Sequence, residues 1–235
     1  MMKPILFNTE MVRAILDDRK TVTRRVVKDI PLDAKCVFVC DDYATFRWQV
    51  KAKNANIVFD KAKDVAPPYR PGDILYVRET WGYDKNMWIY RADFSDEDLE
   101  KIACITKWHP SIHMPREAAR IFLRVTDVRV ERLQTSFFEP ICPIFAVQAE
   151  GIDIGDTCRE CIENYGEPCC VDTVDEDGSD LYGGECGELD QNRGEFSDLW
   201  DSTIKPADRE RYGWAANPWV WVIAFERRSK PEEVV

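Results

Sequence analysis

The apolar positions of the chain follow two periods, and the switches between them mark the expected elements. The run "PILF" reads as a short buried strand, after which Met11, Val12, Ile15 and Leu16 recur at helical spacing on one face. Thr9 is placed to cap that helix, and Glu10 to complement its positive end. Asp17 and Asp18 sit badly at the negative end, so the helix is expected to stop there and the Lys20 to Arg25 segment to form a loop. Residues 29–66 are mixed, with strand-like "CVFVC" and "ATFRWQV" ahead of a Lys-rich, Pro-terminated connector.

Pro71 and Gly72 predict a turn into a strand in which Ile74, Tyr76, Arg78 and Thr80 alternate with Leu75, Val77, Glu79 and Trp81. Arg78 and Glu79 then face opposite sides of the sheet, and "MWIYRAD" suits the hairpin partner. Residues 94–107 read as a surface helix and its exit. "ARIFLRVTDVRVERL" is a long alternating strand with a bulge expected near Thr126 and Asp127. "FAVQAEGI" reads as a helix stopped by Gly151, whereas residues 155–192 lose their large apolar side chains and form an expected Cys-rich insertion. Helical spacing returns at Phe196, Leu199, Trp200 and Ile204, and "NPWVWVIAFERR" closes the chain as a buried strand. Strands with helices at their edges predict one α+β domain over residues 1–235, built on a small curved sheet or barrel.

Composition narrows the function classes. With 235 residues, 45% of them apolar, the chain can bury a substantial single core, and the eight tryptophans are mostly core by alternation. No run approaches the roughly 20 apolar residues that span a bilayer, and "MMKPILFNTEMVR" reaches charge too soon for a signal peptide, so a soluble, cytoplasmic protein with no membrane partner is expected. A net charge of −11 suits a small or locally gripped ligand better than a long duplex.

The nine cysteines are an odd count, which in a reducing compartment speaks against a disulfide framework. Cys158 and Cys161 form C-x2-C, followed by Cys169, Cys170 and Cys186. Four thiolates, drawn from Cys158, Cys161, one of Cys169 or Cys170, and Cys186, suit a structural zinc that would order a coreless loop; the alternative is a loop of reduced thiols. Four protein ligands leave no open position, so this metal would take no part in catalysis.

At "DDRKTVTRR" the chain resembles the ASCH domain family, a branch of the PUA-like small β-barrels. The family motif is a Gly, a Lys two residues later, an acidic residue three further on and an Arg two beyond that. The same spacing reads Asp18, Lys20, Thr23 and Arg25, departing at the first and third positions. Threonine at the third position is similar to the small bacterial N4-acetylcytidine amidohydrolases, in which Lys, Thr and a later Glu are catalytic; "QAEGI" places Glu150 at the matching position. The segments "PGDILYVRETW", "WHPSIHMPREAARIFLRVTDVRVERL", "FSDLW" and "NPWVWVIAFE" resemble a phage-associated ASCH subfamily, outside residues 29–66 and the insertion.

The resemblance implies a cleft beside the Lys20 segment sized for a nucleoside. Hydrolysis of an acyl amide needs a nucleophile, a base and an acid for the leaving nitrogen. Thr23 would attack, Lys20 would act as base if Arg24 and Arg25 depress its pKa, Glu150 would shuttle the proton, and Arg25 would polarise the carbonyl oxygen. The plainer alternative makes Lys20 and the arginines surface charges and Glu150 a helix-end acid. Trp81 is a candidate base-stacking residue with Arg78 or Glu79 reading an edge, against a core Trp beside a cross-strand Arg–Glu pair. Ser111 and His113 are candidate pocket-lining residues; Pro110 opposes the helix that His109 and His113 would need to share a metal. The expected function is binding of a modified nucleoside, or of a nucleotide in single-stranded RNA, with hydrolysis of the N4-acyl group of acetylcytidine as the candidate reaction. The alternatives are a non-catalytic RNA-binding module and a phage accessory protein that acts through a protein partner.

Overall fold

The architecture is mixed α+β, dominated by strands. The computed structural model describes residues 2–51, 58–84, 86–95, 97–98, 107–135, 147–152 and 187–231. Its backbone separates into two units, one formed by Met1–Thr23, Tyr69–Val128 and Ile223–Val235, the other by Arg24–Pro68 and Arg129–Val222.

In the first unit, β1 (Lys3–Leu6) lies parallel to β6 (Ile74–Arg78), with Lys3 opposite Leu75 and Leu6 opposite Arg78. On its other side β6 runs antiparallel to β9 (Phe122–Arg132), pairing Ile74 with Arg124. Gly72, at φ +88°, makes the turn into β6 in a conformation that a side chain would strain. Helix α1 (Thr9–Leu16) follows β1 and buries Val12, Ala14 and Ile15. Its cap is Asn8 rather than Thr9: Asn8 is extended and its side chain accepts from the Met11 N–H at 2.8 Å, whereas Thr9 is already helical. The helix stops where expected, and Asp18 reverses the chain in the left-handed region at φ 58°.

The segment from Lys20 to Arg25 is not all loop. β2 (Val22–Val26) is a strand, because its β-branched Val22, Thr23 and Val26 favour extended backbone and its flanks find main-chain partners. Phe225 N–H donates to the Thr21 carbonyl at 2.8 Å, and Val27 N–H donates to Trp219 at 2.9 Å. The expected strand through Trp81 is also two elements. β6 ends at Arg78, and Trp81 opens β7 (Trp81–Asp84), which pairs with β8 (Met87–Tyr90).

In the second unit, β3 (Lys35–Val39), β4 (Ala44–Lys51) and β5 (Val58–Val65) form an antiparallel meander. The expected connector is thus a strand: β5 pairs with β4 from Ala44–Val65 to Lys51–Val58, although almost all of it faces water. Residues 147–149 are helical and stop at Gly151, whose φ of +89° suits glycine. Helix α2 (Gly187–Thr203) opens inside the stretch read as the insertion and buries Phe196 and Trp200; a short helix α3 (Arg209–Tyr212) follows.

With β10 (Trp219–Arg228), the five-stranded sheet has the order β1-β6-β9-β10-β2, and no closed barrel is present among the described residues. No described helix is long and apolar enough to cross a membrane. The expected zinc ligands Cys158, Cys161, Cys169, Cys170 and Cys186, and most of the expected helix at 94–107, lie outside the described residues.

Candidate functional site

Lys20 follows the reversal that ends α1, its N–H held by the Ala14 carbonyl at 3.0 Å. The side chain turns inward to 2% exposure, with the ammonium 5.9 Å from the centroid of the Phe7 ring. A cation over an aromatic face gains from the ring quadrupole, which offsets part of the cost of leaving water. Thr23, on β2 in the same unit, is 1% exposed. Neither side chain belongs to the solvated helix end that the charge run would suggest.

Glu150 belongs to the second unit, at the end of the 147–149 helical turn. Its carboxylate accepts from the Arg24 guanidinium, both side chains are buried, and Arg24 lies 5.7 Å over the Phe196 ring. Arg25, half-buried on the same strand, donates to the Arg24 carbonyl at 3.2 Å. Alternation along β2 places Arg24 and Arg25 on opposite faces. A loop in which every side chain converges on one point is therefore not what forms. Lys20 and Thr23 fall in the first unit, Arg25 and Glu150 in the second.

The remaining candidates lie in the first unit and are built into its framework. Arg78 donates to the Met114 carbonyl at 2.9 Å and to the Ile112 carbonyl, so it holds the strand to the Ser111–His113 turn. Glu79, 1% exposed, receives Arg120 bidentately at 2.9 and 3.0 Å. Arg120 also donates to Asp93 at 2.8 Å and lies 3.9 Å over the Tyr90 ring, while Tyr90 donates to the Ala118 carbonyl at 2.7 Å. Burial pushes the Glu79 carboxyl above its ordinary range, against the downward pull of Arg120. Arg120 is itself held up: burial works against its charge, but the two acids outweigh it.

Trp81 stacks on His109 with ring centroids 4.6 Å apart and meets Trp88 edge-on at 5.2 Å. Its indole N–H is buried and has no hydrogen-bond partner among the described residues. Ser111 is half-buried and His113 exposed, in a 3-10 turn that begins after Pro110. Among the described residues no group of three or more His, Cys, Asp or Glu side chains is placed to hold a metal.

Sequence reasoning passed over Arg120, Asp93 and Tyr90, whose partnership with Glu79 joins positions 41 residues apart and leaves no local signal. It also passed over Arg227 and Arg228, read only as the end of a buried strand, although "ERR" at a strand terminus is a compact charge signal. No family model, no curated protein and no solved structure matches this chain.

Proposed function

We propose that the chain is a PUA-like protein of the ASCH type that binds a modified nucleoside beside Lys20 and hydrolyses the N4-acyl amide of acetylcytidine. One observation carries the reading beyond resemblance: a lysine only 2% exposed, in the same unit as a threonine of 1% exposure. Lysines are almost never buried to this extent unless paired, and ionisable groups taken out of water cluster at functional sites.

In the proposed reaction Lys20 acts from its neutral amine form: the Thr23 hydroxyl attacks the acyl carbon while the Lys20 amine takes its proton. The carbon–N4 bond then breaks as the Lys20 ammonium passes that proton to N4, and cytidine leaves; water, deprotonated by the Lys20 amine, attacks the acyl-threonine to release acetate, and the same proton restores the hydroxyl. The acidic balance of the chain, −11, favours a small ligand over a polyanion.

The test is incubation of N4-acetylcytidine with the protein and chromatographic detection of cytidine and acetate. Turnover is expected, with loss in Lys20→Ala and Thr23→Val variants that keep the circular dichroism of the parent. An intact substrate after exposure to the unmutated protein ends the hydrolase reading. Calorimetry showing no binding of acetylcytidine, cytidine or short single-stranded RNA ends the nucleoside reading as well.

A further inference from the structure

The first unit carries a pocket of about 400 Å³ lined by Leu16, Arg120, Ile121, Arg227, Arg228 and Ser229. Three of these six side chains are arginines and none is acidic. In a chain of net charge −11 the lining itself presents only positive charge, and the acids that answer Arg120 and Arg227, namely Glu79, Asp93 and Asp18, are not among the lining residues. Two of the arginines are held in place by other groups: Arg120 by Glu79 and Asp93, and Arg227 by the Leu16 carbonyl at 3.0 Å and the Asp18 carboxylate at 3.1 Å. The bond to Leu16 also answers the negative carbonyl end of α1, which would otherwise disfavour an anion here. Arg228 has a single weak contact, Nε to the Ser229 carbonyl at 3.4 Å, so its terminal nitrogens can turn to a ligand.

We propose that this pocket binds the phosphate group of a small phosphomonoester. Planar guanidinium forks match phosphate oxygens two at a time, and Arg120 has donors beyond the three used on Glu79 and Asp93. Ser229 adds a hydroxyl, while Leu16 and Ile121 give an apolar wall against which a ligand body can rest. The volume lies in the range of small-molecule sites. A monoester fits better than a nucleic-acid backbone, because the rest of the acidic surface would repel a long polyanion. This site goes beyond the nucleoside reading and does not rest on it.

Calorimetry at low salt with inorganic phosphate, cytidine 5′-monophosphate and cytidine tests the proposal. Inorganic phosphate should bind, and Arg228→Ala should weaken it by about tenfold, as expected for loss of a charge-assisted hydrogen-bond pair. Ser229→Glu, which brings a like charge to the wall, should abolish phosphate binding while the thermal melt stays that of the parent. Should the nucleoside reading fail, cytidine will not bind but phosphate still will. No phosphate binding, or phosphate binding unchanged in both variants, overturns the pocket whatever cytidine does. Affinity that climbs with the length of an oligouridylate, with phosphate itself inert, would also overturn it in favour of an RNA track.

Discussion

Arg24 and Glu150, 126 residues apart in the chain, form an ion pair within one unit, with side-chain exposures of 3% and 5%. Two charges at that depth each carry a large desolvation cost, which their attraction offsets only while both are present. Truncating one partner is therefore worse than replacing both. Arg24→Ala should cost about 3–5 kcal/mol by leaving a buried carboxylate unanswered, whereas the double replacement Arg24→Met with Glu150→Leu should cost clearly less. Urea denaturation of the two variants measures the difference; a double variant that loses as much as Arg24→Ala would show that the unanswered carboxylate is not the source of the loss.

Glu79 predicts a pH dependence of the opposite sense to an ordinary surface acid. Burial raises its pKa above the usual 4.5, so the fold favours the protonated carboxyl more than the unfolded chain does. Its contribution is full below the unfolded value and is lost as pH rises through the raised folded value. The stability advantage of the parent over Glu79→Gln should accordingly shrink as pH climbs above 4.5, read as urea midpoints over a pH series. An advantage that grows over that range would show that Arg120, not burial, dominates.

Asp73 behaves in the reverse way. Burial pushes its carboxyl up, but Lys3 at 2.5 Å, the Arg70 N–H at 2.8 Å and the charges of both residues together hold it below the usual 3.8. A depressed carboxyl contributes above the unfolded value and loses that contribution as pH falls through the folded one. Asp73→Asn should thus be less stable than the parent near neutrality and converge with it only in strong acid. Acid titration followed by tryptophan fluorescence gives the comparison.

The cap of α1 offers a local test. Asn8→Ala removes the acceptor of the Met11 N–H and should cost about 1 kcal/mol, while Asn8→Ser should retain most of the stability. Thr9→Ala should be close to neutral, since Thr9 is the first helical residue. Denaturant midpoints for the three variants separate the roles of the two neighbours.

How much of this was legible in the sequence depends on whether apolar spacing carried the information. α1, β9 and β10 each bury one side or both, and their periodicity located them, the helix from the Met11–Leu16 spacing and the strands within 119–133 and 217–228. β5 escaped because it is nearly all exposed: Asp60, Lys61, Lys63 and Asp64 show no apolar alternation, and pairing with β4 makes the strand. In β2 the arginines concealed the β-branched run around them. Asn8 and Thr9 are both good caps by type, so only the backbone angles tell which serves. As for the candidate site, residue type singled out Lys20, Thr23 and Glu150, all of which prove buried. The partners of Glu150 and Glu79 lie far off in sequence, where no spacing rule reaches.

Trp81 and His109 exchange two main-chain hydrogen bonds, 3.1 Å one way and 2.7 Å the other, beneath their stacked rings. That clasp fixes both ends of everything threaded between them, so the entropy of closing the loop is met at the clasp and depends only weakly on what lies inside. Doubling the enclosed length should cost about 0.6 kcal/mol. Length added inside the clasp is therefore tolerable only where it spares the β7–β8 hairpin and the Tyr90–Phe94 stretch, whose side chains hold Arg120 and whose carbonyls hold Arg13.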